Sequence, residues 1–130
     1  MLRLFVACAF VIVLPGCVTA PPVDATYTDG SDLDLYRALA DLGAMSRVEE
    51  GCGGRSTKSV TEWWIDRYYQ RETAIRTRLE RRHGSAELEG ADEIHVHPRC
   101  GQGDAKPYWR VQYEAVLTTL ERRLNLPLPK

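Results

Sequence analysis

What this chain lacks narrows its reading first. It contains no nucleophile elbow, phosphate-cradling glycine loop, dinucleotide fingerprint or His-Glu-x-x-His, so the catalytic frameworks that leave a mark in sequence are missing. It has no dominant charge: 17 Lys or Arg stand against 18 Asp or Glu, a formal net of −1, and no overall field draws it to nucleic acid. Its one long apolar run, Leu4–Leu14, is too short to cross a bilayer as a helix. Cysteine is scarce, with four in 130 residues, which excludes a dense disulfide scaffold. From Ser59 to His83 there is neither glycine nor proline, so nothing there interrupts a long helix.

What is present begins with an address. Arg3 followed by Leu4–Leu14 has the layout of an export signal. The run ends in Leu14-Pro15-Gly16-Cys17, which resembles the lipobox of bacterial lipoproteins: an aliphatic residue three before the cut, a small one just before it, and a cysteine after. The resemblance implies that residues 1–16 are removed and that Cys17 receives a diacylglycerol and an acylated amino terminus. At about 0.8 kcal/mol per buried CH₂, several acyl chains would make that attachment permanent. Val18 stands where lipoproteins kept at the inner membrane carry Asp, so the resemblance implies the periplasmic face of the outer membrane. An ordinary secretory signal is the other reading of the same run. Residues 17–30, with Pro21, Pro22 and mostly small neighbours, read as an extended tether reaching about 40 Å.

Loss of residues 1–16 leaves 114 residues, enough for one small domain, expected over 31–125 with an extended tail at 126–130. Cys8 leaves with the signal and Cys17 takes lipid, so Cys52 and Cys100 remain, most simply as a disulfide in an oxidising compartment. A metal site competes for the same sulfur. Glu93–His97 alternates as a short irregular or strand-like piece, and His95, His97 and Cys100 have the softness and closeness of zinc or copper ligands. No other cofactor is expected.

The rest is helical in pattern. Ser31 with Asp34 opens a helix running to about Glu50, with Leu35, Leu39, Leu42 and Met45 or Ser46 on one stripe. Ser59 with Glu62 reads as the capping box of a central helix ending at His83. Val60, Trp64, Tyr68, Ile75 and Leu79 share its main face, Trp63 lies to one side, and Ile65 and Tyr69 lie to the other, so a neighbour is expected on each flank. Segment 84–104 is rich in turn residues, and a last amphipathic helix opens at Lys106-Pro107 and stops at Asn125. The fold expected is all-α, a small three-helix bundle stapled by one disulfide. The charges are segmented to suit packing: 17–54 carries two basic and seven acidic residues, 55–83 eight and four, 84–104 one and five, 105–130 five and two.

Two features of the central helix admit a partner. Arg67, Arg71, Arg78 and Arg82 share one side of it, and Trp63 and Tyr69 flank its core face. They read either as a surface for an anionic or wall-derived ligand, or as stems covering apolar surface with heads meeting acidic neighbours. Glu62 and Asp66, one turn apart, are the paired carboxylates a glycosidase would need, at a spacing that is commonplace. The function expected is a non-enzymatic, lipid-anchored accessory or interaction module with a periplasmic or envelope protein partner. The alternatives are a metal-binding lipoprotein and a wall- or ligand-binding domain.

Overall fold

The computed structural model describes residues 25–97, 99–100 and 106–130. The signal, the lipobox with Cys17 and the tether as far as residue 24 lie outside the described residues. The elements are α1 (Ala25–Thr28), α2 (Asp32–Cys52), α3 (Thr57–His83), α4 (Ser85–Ala91) and α5 (Lys106–Arg123), with no strand among the described residues. None of these helices is long and apolar enough to cross a membrane. The protein is an all-α bundle of three long helices, closed by a Cys52–Cys100 disulfide with its Cα atoms 5.6 Å apart.

α2 starts as its sequence predicts. The Asp34 amide donates to Ser31 Oγ at 3.1 Å, and Asp34 Oδ2 accepts from the Ser31 amide, which completes a capping box. The helix continues past Glu50 to Cys52, which closes its last turn. Gly43 permits a close approach: a Cβ there would stand 3.3 Å from the Tyr113 ring and 3.5 Å from that of Trp64. Two large rings occupy the space a side chain would need.

α3 begins a turn-fraction earlier than expected. Its cap is Ser56, whose Oγ accepts from the Ser59 amide at 3.1 Å. Glu62 therefore closes no capping box and lies 3.8 Å from Lys58 on the exposed surface. Two equivalent serines precede the apolar run, and the earlier one wins because Thr57–Lys58 extend the helix without strain. Gly84, at φ +88°, ends it through an amide bond to the Glu80 carbonyl.

The turn-rich segment after it holds α4, which composition hides. Leu88 and Ala91 are buried in the core, and that burial outweighs the cost of Gly90 in a short helix. Beyond it residues 93–97 are irregular, as one of the two expectations had it. α5 ends in a Schellman motif: Asn125 takes φ +53°, its amide bonds the Arg122 carbonyl, and the Leu126 amide bonds the Glu121 carbonyl at 2.8 Å. Leu126 then packs on the core, so the tail's first residue belongs to the fold.

The boundary of the tether also moves. Residues 25–30 were expected within it, yet Ala25–Thr28 form a helical turn with Tyr27 against the core. Arg123 holds that turn by donating to the Gly30 carbonyl at 2.6 Å. The core joins Leu35, Leu39 and Leu42 of α2 to Trp64, Tyr68, Ile75 and Leu79 of α3 and Tyr113, Val116, Leu117, Leu120 and Leu124 of α5. α2 and α5 are the most closely packed pair, and α3 lies across them through its large side chains. One of its flanks stays uncovered, against expectation: Ile65 is 49% and Tyr69 58% exposed.

Candidate functional site

α3 has two seams, and they differ. Towards α5 it is shut by the arginine row. Arg71 grips Glu121 with two bonds, 2.7 and 2.8 Å, and Glu121 is only 1% exposed. Arg67 reaches Glu114 at 3.4 Å and the Tyr68 hydroxyl at 3.2 Å. Arg78 donates to the Leu124 carbonyl at 2.9 Å, at the negative end of α5. Arg82 turns the other way, to Asp32 at 3.7 Å. Their partners lie mainly on α5, not on α2 or the 84–104 segment. The four arginines are thus committed within the fold.

The aromatic residues line the inside of this closed seam. Tyr68 donates to Glu114 at 2.5 Å, and burial followed by that carboxylate pushes its phenol up to about 12. Glu72 accepts from Trp64 Nε1 at 3.1 Å and from the Tyr113 hydroxyl. Burial, reinforced by Glu72, drives the Tyr113 phenol far above its ordinary range. Trp63 is roofed by the guanidinium groups of Arg55, Arg110 and Arg67 at 5.3, 5.8 and 5.9 Å from its centroid. Of the expected partner surface, Trp63, Arg67, Arg71, Arg78 and Arg82 are therefore occupied at home, and only Tyr69 stands open.

Towards α2 the seam is a groove of three adjoining hollows. The widest, about 460 Å³, lies between the end of α2 and the start of α3, where Val48 and Val60 form apolar wall and Arg47, Arg55, Thr57 and Thr61 supply polar atoms. Arg47 divides it from a hollow of about 150 Å³ that includes Tyr36, Glu72, Asp92 and Ile94. The third, about 240 Å³, shares Tyr36, Glu72 and Asp92 and adds Tyr69 and Arg76. Exposed Ile94 and Tyr69 stand at its rim, and Ile65 lies one turn before Tyr69 on the same flank. A single cluster fixes this end. The Tyr36 hydroxyl donates to Asp92 at 2.5 Å and Arg76 pairs with the other oxygen of that carboxylate. Burial, then the bond to Asp92, pushes the Tyr36 phenol upward.

Comparison with protein-family models, curated proteins and solved structures found no match. The groove must be read from its own chemistry.

The other predicted site residues fall outside it or dissolve. Cys100 is bonded to Cys52, so it offers no thiolate to a metal. His95 and His97 are both exposed, His95 with Nε2 3.8 Å from a Glu93 oxygen. Among the described residues no three His, Cys, Asp or Glu gather as a metal site. Glu62 and Asp66 both face solvent on α3, away from the hollows. Sequence reasoning missed Arg47, Tyr36, Arg76 and Asp92. Arg76 and Asp92 meet only because Gly84 turns the chain back, and no periodicity records that contact.

Proposed function

We propose that this is an exported, lipid-anchored envelope protein that acts as a non-enzymatic interaction module, presenting the α2–α3 groove to a protein partner in the periplasm. The observation that carries the reading is the contrast between seams. Of the four large hydrophobic residues exposed among the described residues, Tyr69 and Ile94 line the α2–α3 groove and Ile65 lies one turn before Tyr69 on the same flank, whereas the opposite seam is held by its own ion pairs. Apolar groups clustered along an open groove beside fixed charges are what a docking surface requires. The carboxylates that face the hollows, Glu72 and Asp92, already accept bonds from Trp64, Tyr113, Tyr36 and Arg76. They serve to hold the walls. The address rests on Leu14-Pro15-Gly16-Cys17, and the tether from Cys17 would let the domain stand off the membrane.

A photo-reactive residue at Tyr69, irradiated in intact cells, is expected to give one discrete adduct, while the same residue at Arg81 on the far side of α3 gives none. Intact mass of the purified chain should begin at Cys17 with acyl groups added. Absence of any adduct from positions 65, 69 and 94 at native abundance would end the docking reading, and an unmodified Cys17 would end the anchor.

A further inference from the structure

We propose that the widest hollow of the groove captures the C-terminal carboxylate of an extended partner peptide whose last residue is aliphatic; this rests on the docking reading above and names the chemistry of its occupant. Two guanidinium groups, those of Arg47 and Arg55, line this hollow. Glu50 is shared by two guanidinium groups, Arg55 and Arg110, each at 3.3 Å. Arg47 makes no ion pair among the described residues, and its guanidinium carbon lies 4.9 Å from the centroid of the Trp64 ring. Arg47 and Arg55 thus bring two guanidinium groups to the same hollow, where Glu50 pairs with Arg55 and Glu72 lies beyond Arg47 in the adjoining one. A planar carboxylate is the natural complement of such forks.

The remaining walls select among carboxylates. Val48 and Val60 offer apolar contact for one aliphatic side chain, and the Thr57 and Thr61 side chains border the same space. Thr61 Oγ1 bonds the Thr57 carbonyl at 2.8 Å, so its lone pairs remain for a peptide amide. At about 460 Å³ the hollow is within the ordinary range for ligand sites. The groove continues past Arg47 to Ile94 and Tyr69, which gives upstream residues of the peptide a path. Capture of a chain terminus is a recurring mode of peptide recognition, and here side-chain guanidinium groups take the place of a backbone nest.

The protein carries its own reporter, because Arg47 lies over Trp64 and Arg55 over Trp63. The test titrates the whole exported chain with acetyl-Gly-Ala-Val-Leu as free acid, as C-terminal amide, and with acetyl-Gly-Glu-Leu-Val amide, which holds an internal carboxylate. The free acid is expected to change tryptophan emission to saturation, weakening as salt is raised. The amide and the internal-glutamate peptide should bind about tenfold more weakly or worse, as the loss of a charged hydrogen bond predicts. Arg47→Gln should bring the free acid down to the level of the amide. Arg55→Gln should do so in part, and serves alone if the first variant unfolds by circular dichroism.

Equal response to acid and amide, equal response to the internal glutamate, no response to the acid, or binding untouched in both variants would each overturn the proposal. The cross-link at Tyr69 separates this failure from that of the docking reading. An adduct in cells without peptide binding removes the carboxylate pocket and leaves the partner, whereas peptide binding without an adduct supports the pocket and removes the partner.

Discussion

The two seams of α3 are built from the same residue types and behave oppositely. On the α5 side, Arg71 with Glu121 joins residues far apart in sequence within a ring-filled interface, while Arg67 with Glu114 closes its half-exposed edge. On the α2 side, Arg76 with Asp92 and Arg55 with Glu50 join residues closer in sequence beside the groove, each pair partly exposed. Arginine therefore shuts one seam and merely decorates the other. The difference lies in burial. Glu121 is almost wholly buried, which forces it to keep a partner, whereas the charges of the groove keep water as an alternative.

The largest test of the contrast removes the staple. The disulfide ties the segment edging the open seam to the end of α2, and it closes a loop of 48 residues. Replacing Cys52 and Cys100 together by serine should cost about 4 kcal/mol in chemical denaturation, with hydrogen exchange rising first along residues 92–97. Glu121→Ala should cost about 3 kcal/mol, because it strands Arg71 in the closed seam; a loss under about 1 kcal/mol would show that seam to be as wet as the other.

Alkali separates the seams next. Tyr36, Tyr68 and Tyr113 all have phenols held above their usual range, so the fold retains protons that the unfolded chain releases near pH ~10. Their contribution is fully present below that pH and is lost as pH climbs from there through about 12, the folded value of Tyr68. Tyr68→Phe should flatten that decline by about 1.3 kcal/mol in all between pH 9 and 11, read from denaturation midpoints across that range. At neutral pH, Tyr36→Phe should cost about 1 kcal/mol, since Asp92 keeps Arg76. Smallest of all, Ile65→Ala and Ile94→Ala, both at exposed side chains, should change stability by no more than about 0.5 kcal/mol while abolishing the adduct from the photo-reactive residue at Tyr69.

Much of the architecture was readable before any coordinates. The stripe Leu35, Leu39 and Leu42, the stripe Tyr113 to Leu124 and the core face of α3 all follow the helical period, and the Ser31–Asp34 box starts its helix as its chemistry requires. α4 was not readable, because Leu88 and Ala91 are too few to make a pattern and acquire meaning only inside the core. The site was mostly invisible. The conspicuous row of arginines drew attention to a flank that the fold uses for itself, while Arg47 carries no periodic signature and matters through the residues it does not meet.

Residue order alone determined the helical class and the helix faces, because turns and periodicity are local properties, whereas the bond between Cys52 and Cys100 was decided by the fold that brings their Cα atoms to 5.6 Å. Which flank of α3 is covered was decided only by the tertiary structure. α2 and α5 pack against each other more closely than either packs on α3, and that competition among three helices leaves Ile65, Tyr69 and the arginine-lined hollow open to solvent.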